Sequence, residues 1–212
     1  ASSLVLKFLA HVEDDRGCSV RTRNQRLAGI KAFARFVCSR DPAHVEWYGH
    51  IRAISSKKSM QPSVGWLTRP EMEAMLAVPD RKTDRGQHEY ALLLFLYNTG
   101  ARASEVAQLK VGQLDLASPA RVRLLGKGSK WRTCPLWSQT AKALQDMLDE
   151  RTTALSPDTI VFVGGTGVGM TRFGIYKRIR HYAKLWEAAG VQASRTHITP
   201  HVFRHTTAVH LL

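Results

Sequence analysis

The sequence predicts a mainly α-helical protein with a small β-sheet, an α+β chain in two domains, and three observations carry that expectation. Apolar residues recur at helical spacing through most of the 212 residues. A single region, Val122 to Leu136, alternates like paired strands around a Gly126-Lys127-Gly128-Ser129-Lys130 turn. A polar, basic stretch without periodicity, residues 55–65, separates a short helical segment from a longer mixed one. The expected boundaries are residues 1–54 for a helical N-terminal domain, 55–65 for a linker and 66–212 for the larger domain.

In chain order, Leu4, Leu6, Phe8 and Leu9 predict a short helix over residues 3–13, broken by Asp14-Asp15-Arg16-Gly17. A longer helix follows, from Ser19 or Thr22 to about Ser39, with Leu27, Ile30, Ala34 and Val37 on its packing face. Arg21, Arg23, Lys31 and Arg35 decorate its other faces, where they could meet phosphates or simply be solvated. A third helical piece carries Val45, Trp47, Tyr48 and Ile51. Beyond the linker, Thr68 and Glu71 form a capping box that opens a helix to about Ala77. The helix from about Gly86 to Thr99 is apolar nearly all round, which places it centrally in the core, and Gly100 ends it. After the hairpin come a helix near residues 140–151, a strand over Ile160–Val163 and a helix from Thr171 to about Ala189.

Composition narrows the functional classes. A net charge of +14 and a pI near 10.2 favour a polyanionic partner. The positive excess is shared by the segment up to Gly65 and the remainder, which fits two surfaces gripping one nucleic acid in a basic cleft better than a basic tail. Cys18, Cys38 and Cys134 are an odd, widely spaced set without CxxC, so neither a disulfide framework nor a zinc site is expected, and a reducing cytoplasm is. No apolar run reaches membrane-span length and no signal region is apparent, so no membrane partner is expected. The Gly164–Gly169 run lacks a surrounding βαβ unit and a P-loop lysine, so it predicts no nucleotide cofactor. His197, His201 and His205 are spaced by four, but Thr199-Pro200 starts the helix after His197, so no metal is expected.

The most informative residues lie at helix openings. Thr199 can cap the last helix and Pro200 suits its first position, so His201 and Arg204, three apart, share one face of the first turn. The unpaired N–H groups and positive dipole end of the helix point the same way. Arg102 sits just after Gly100, at the start of a helix through Val106 and Leu109. Two arginines and a histidine at helix openings predict a clamp for one phosphate.

Arg102 with Glu105 three later, Lys127 in a Gly-Lys-Gly-Ser-Lys hairpin, and His201-x-x-Arg204 at a helix start together resemble the tyrosine recombinase, or phage integrase, family. The resemblance covers the whole chain, and the stretches LLLFLYNTGARASEVAQL and TPHVFRHTTAVHLL look closest to integrases of mobile elements. It implies a helical core-binding domain followed by a mixed helical catalytic domain, acting on double-stranded DNA without metal, nucleotide or small-molecule substrate. By resemblance, Arg102 and Arg204 bind the scissile phosphate, Lys127 protonates the departing 5′ oxygen, and His201 moves a proton or holds a phosphate oxygen. Glu105 orients the arginine, and Lys130 and Arg132 contact the DNA backbone. The resemblance further implies transesterification through a 3′-phosphotyrosyl linkage in a homo-oligomer, a tetramer on two DNA sites.

The family nucleophile is a tyrosine downstream of the HxxR arginine. Tyr48, Tyr90, Tyr97, Tyr176 and Tyr182 all precede Arg204, so no nucleophile is assigned. The last helix reaches His210-Leu211-Leu212 without a stop signal, which predicts a chain incomplete at its C-terminal end. The competing readings are a type IB topoisomerase-like activity, a DNA-binding regulator derived from a recombinase, and a general nucleic-acid-binding protein.

Overall fold

The structure is a computed structural model that describes residues 2–58, 65–126, 128–152, 154–189 and 197–211. The chain divides into two compact units, Ala1–Ser63 and Val64–Leu212.

The N-terminal unit is built from α1 (Ser2–Ala10), α2 (Val20–Arg40) and α3 (Val45–Ala53). The expected break at Asp14-Asp15-Arg16-Gly17 falls at the far end of that cluster: α1 runs on as a π-helical turn over His11–Asp15, and the chain turns at Gly17, whose φ is +59°. Ser19 caps α2 by accepting the Thr22 N–H at 3.2 Å. Leu9, Leu27, Ala34, Ile51 and Ile54 close a small core, with Ile30, Trp47 and Tyr48 packed against it. Of the apolar residues expected to seat α1, Leu4, Leu6 and Phe8 face solvent and Leu9 is buried. Ser55 and Lys57, at the start of the expected linker, are held by α2: the Asn24 side chain donates to the Lys57 carbonyl at 2.8 Å and accepts its N–H at 3.1 Å.

In the C-terminal unit, α4 (Arg69–Leu76) opens with the capping box read from the sequence: Glu71 Oε2 accepts the Thr68 N–H at 2.6 Å and Thr68 Oγ1 accepts the Glu71 N–H. Helix α5 (Asp84–Thr99) is buried along Tyr90–Leu96, and its own side chains form the centre of the core. It starts before Gly86 because Thr83 is its cap, and Gly86 lies so close to the Asp80 carbonyl that a Cβ there would sit 1.9 Å from the oxygen. After α6 (Ala103–Ala107) comes an antiparallel sheet in the order β1 (Leu114–Asp115), β2 (Arg121–Leu125), β3 (Trp131–Pro135). Val122 and Leu124 are its buried, inward residues. Helices α7 (Ser138–Asp149), α8 (Arg172–Ala188) and α9 (Pro200–Leu211) complete the unit. Thr171 caps α8, accepting the Gly174 N–H at 3.0 Å.

The expected strand over Ile160–Val163 is not one. Only the isolated bridges Lys110↔Ile160 and Val163↔Gly169 form there, and the Ile160 and Val161 carbonyls accept from the Arg151 guanidinium in place of a neighbouring strand. Val161 and Phe162 are fully buried, so the apolar run marks core rather than sheet. The pairing of Leu114–Asp115 with β2 was not read from the sequence. No described helix is long and apolar enough to cross a membrane.

Candidate active site

The site begins where α5 ends. Gly100 takes a left-handed conformation, φ +55° and ψ 28°, and its N–H closes the helix on the Leu96 carbonyl at 3.0 Å. A side chain at this φ costs roughly 1–2 kcal/mol, so glycine makes the sharp exit inexpensive. Ala101 is buried, and Arg102 becomes the extended N-cap of α6. An arginine side chain cannot accept a capping bond, so Glu105 supplies the cap by reaching back to the Arg102 N–H at 2.9 Å.

Glu105 organises what surrounds it. Its Oε1 accepts from Arg102 Nη1 at 2.9 Å and from Arg132 Nη1 at 3.0 Å, and its Oε2 accepts from Arg132 Nη2 at 2.6 Å as well as from the Arg102 N–H. Its side chain is only 3% exposed. Burial, the largest single influence, pushes the carboxyl pKa upward. The hydrogen bonds from Arg132 and Arg102, with the Arg132 charge, together outweigh burial and hold the pKa at about 2. Strand β3 delivers Arg132 from across the hairpin, paired with Leu124 of β2. Gly126 passes over this contact: a Cβ there would lie 3.3 Å from Arg132 Nη1 and 3.6 Å from Glu105 Oε1.

Helix α9 brings the second arginine. Thr199 Oγ1 accepts the Val202 N–H at 3.4 Å, as its capping role requires. Thr206 Oγ1 accepts the Leu67 N–H at 2.9 Å, and the Thr207 hydroxyl points between the Tyr97 carbonyl at 2.6 Å and the Phe203 carbonyl at 3.0 Å. One turn further, His210 Nδ1 lies 2.8 Å from the Tyr97 hydroxyl. These contacts set α9 in register along the end of α5, and Arg204 Nη1 then donates to the Gly100 carbonyl at 2.5 Å. Burial, then the charges of Arg102 and Arg132, lower the Arg204 pKa, while Glu105 opposes them. Arg204 thus lies within the field of both other guanidinium groups.

Arg102 at the cap of α6 and Arg132 of β3 therefore share one buried carboxylate, and Arg204 of α9 stands close enough for the charges of all three groups to act on it. Arg102 is 46% exposed, and beside it a groove of about 460 Å³ opens between the start of α6 and the β2–β3 turn, lined by Ser104, Gln108, Gly126 and Ser129 among others. The Arg102 guanidinium, facing this groove, can bind two oxygens of one phosphate.

The remaining expected residues fall differently. His201 is exposed on the first turn of α9 and makes no hydrogen bond or ion pair with a described residue. Lys127 lies outside the described residues. Lys130 is exposed, and its carbonyl accepts the Gly126 N–H at 2.8 Å, closing the turn. Arg132 is not a free backbone contact, since both of its terminal nitrogens are engaged by Glu105. In the N-terminal unit Arg21 is exposed and Lys31 half-buried, but Arg23 is turned inward, 6% exposed, with Nη1 on the Ser55 carbonyl at 3.1 Å. Its helical position is polar in sequence, yet the returning chain covers it. None of the five tyrosines forms a hydrogen bond with Arg102, Arg132 or Arg204 through its hydroxyl, and among the described residues no cluster of three or more His, Cys, Asp or Glu could hold a metal. The anchoring residues Thr207, Tyr97 and His210 had no local signal, because their roles appear only when α9 lies along α5.

Residues 65–212 match the phage integrase family, and the chain belongs to that family. It is 34% identical over 209 residues to a putative integrase/recombinase, y4rC, of Sinorhizobium fredii, covering 99% of this chain and 62% of that protein. It is 31% identical over 201 residues to the tyrosine recombinase XerD of Pseudomonas aeruginosa, covering 93% of this chain and 64% of that one. In fold it resembles the Tn1549 transposon integrase solved in complex with transposon right end DNA, with a TM-score of 0.79 at 19% identity, over 99% of this chain and 72% of that one. The chain thus spans a little under two thirds of the length of these two curated relatives.

Proposed function

We propose that the chain is the DNA-binding and phosphate-binding part of a site-specific DNA recombinase, which cuts and rejoins strands through a 3′-phosphotyrosyl intermediate. The observation that carries the reading is the pairing of Arg102 and Arg132 on Glu105, with Arg204 held on the Gly100 carbonyl two residues before Arg102, in a member of the phage integrase family. Arg102 and Arg204 bind the non-bridging oxygens of one scissile phosphate. As the attacking oxygen adds, charge builds on those oxygens, and cations already held in place stabilise it without reorganising. Lys127 gives its proton to the departing 5′ oxygen, and His201 assists proton transfer or holds a phosphate oxygen. The phosphodiester energy is conserved in the protein–DNA bond, so no nucleotide is consumed.

The substrate is double-stranded DNA, supported by the +14 net charge and by the DNA-bound state of the transposon integrase that shares the fold. Assembly is as a tetramer on two sites, and the location is cytoplasmic, with the nucleoid. Arg21, Lys31 and Lys130 add contacts to the sugar–phosphate backbone.

The test starts from duplexes selected by the full-length gene product out of a random pool, rebuilt with a nick beside the cleavage position. The wild-type protein is expected to leave an SDS-resistant adduct on DNA. Arg102→Ala and Arg204→Ala should bind the same duplexes within about threefold and lose the adduct by at least 100-fold. Adduct formation indifferent to both substitutions overturns the reading, and binding without any adduct in the wild type identifies a regulator.

A further inference from the structure

We propose that Arg132 is a positioning residue for the phosphate site and not a contact to nucleic acid: its two terminal nitrogens hold the Glu105 carboxylate in the orientation that seats the Arg102 guanidinium. The proposal rests on the reading of Arg102 as a phosphate ligand, and it assigns the hairpin a task apart from carrying Lys127.

The geometry divides the carboxylate evenly. Arg132 supplies one donor to each oxygen, at 3.0 and 2.6 Å, in a fork that fixes the plane of the carboxylate. Arg102 supplies the other two, one from its backbone N–H and one from Nη1. The backbone bond alone would let the carboxylate rotate about its χ3 torsion, which is broad and has no strong intrinsic preference. With the fork in place, Oε1 points at Arg102 Nη1, and the rest of that guanidinium is left for the groove.

The two arginines differ in what they keep free. Arg102 uses one terminal nitrogen on the protein and is 46% exposed; Arg132 uses both and is 33% exposed, beneath Gly126. A side chain at residue 126 would press on the fork, which gives that glycine a packing reason. Among the described residues, the charged and titratable groups around Glu105 are Arg102 at the cap of α6, Arg132 and Cys134 from β3, and Arg204 from α9. One carboxylate among three guanidiniums limits their mutual repulsion. The fork therefore also keeps that counter-charge from swinging toward a bound phosphate.

A lysine in place of Arg132 keeps the charge but cannot make the fork, which separates positioning from electrostatic attraction. Sulfate serves as the probe, because its charge is constant across the pH range used. Its binding to the whole chain is read from the Arg102 Nε–H resonance at pH 7.5, and binding to a random-sequence duplex is measured against salt. Arg132→Lys and Arg132→Met are both expected to lose about tenfold in sulfate affinity. Neither should lower the slope of log K against log salt, whereas loss of a phosphate contact lowers it by about 0.9. Combining Glu105→Gln with Arg132→Lys should add less than about twofold, since the two act as one unit.

Full sulfate affinity in Arg132→Lys, or a slope lowered by about 0.9 in Arg132→Met alone, overturns the proposal. If the Met variant does not melt cooperatively, the Lys variant and its coupling to Glu105→Gln decide. An Arg102 resonance that ignores sulfate in the wild type means that the underlying phosphate reading has failed, a result distinct from failure of Arg132's role.

Discussion

Glu105 and Glu89 both have side chains only 3% exposed, with Glu89 packed in the deeper surroundings, and their acidities move in opposite directions. Glu105 receives four donors and its pKa falls to about 2. Glu89, on α5, has Arg178 Nε on Oε1 at 2.9 Å and no partner on Oε2. Burial dominates there, with Arg178 and Arg85 opposing it, and the pKa rises to about 7. His88 beside it is driven by burial, and then by the charges of Arg151 and Arg178, down to about 4, with its ring edge against Phe162. Burial sets the cost of a charge, which is greater at Glu89, and the number of aimed donors decides whether that cost is met. Just past the C-terminal end of α5, on α6, Glu105 is a permanent anion that orders cations, while Glu89 and His88 on α5, with Glu89 paired to Arg178 of α8, are close to neutral between pH 4 and 7.

The largest effect is expected from Glu105→Gln, which leaves Arg102 and Arg132 without their shared anion: about 4 kcal/mol of stability should be lost at pH 7 in urea unfolding. Wild-type stability in that variant would mean the four donors do not matter. Glu89→Gln should do the reverse. A carboxyl at about 7 in the folded chain and near 4.5 when unfolded costs stability as pH rises through that window, so the isosteric amide gains with pH. The gain should be near zero at pH 4.5 and on the order of 3 kcal/mol at pH 8. A pH-independent difference would refute the assignment.

The Glu105 contribution has the opposite window: it is fully present above pH 4.5 and is lost as pH falls toward 2. Acid unfolding of wild type above pH 4 should therefore trace to the histidines whose pKa is lowered in the folded chain: His88, which removes stability as pH falls from 6.5 towards 4, and His210, lowered by burial and the Arg69 charge. Replacing His88 by Gln is expected to flatten that limb of the melting-temperature profile. Gly100→Ala is smaller, about 1–2 kcal/mol from the left-handed φ, and should weaken sulfate binding because the Gly100 carbonyl anchors Arg204. Tyr97→Phe is the smallest. Losing the bond to His210 should cost about 1 kcal/mol in thermal melts and leave the Glu89 window unchanged.

Much of the scaffold was legible locally. The Thr68–Glu71 box, the apolar Tyr90–Leu96 run, the Gly100 stop, the hairpin and the Thr199-Pro200 helix start all express themselves over a few residues. Arg23 was misread because its helical face is covered by Ser55, thirty-two residues on. Ile160–Val163 was misread because a buried apolar run looks the same whether it enters a sheet or a core. At the site, the order Arg102, Glu105, Arg132 and Arg204 was visible, but the fork between Glu105 and Arg132 was not.

Caps, turns and periodicity act over one or two turns of chain, so most of the helices, the β2–β3 hairpin and the cations at two helix openings follow from the residues alone, whereas β1 and the buried run at Ile160–Val163 do not. Only the tertiary structure decided which of those cations meet, which one faces the groove and which one serves the carboxylate. Those outcomes depend on the register of α9 along α5 and of β3 along β2, which long-range packing sets.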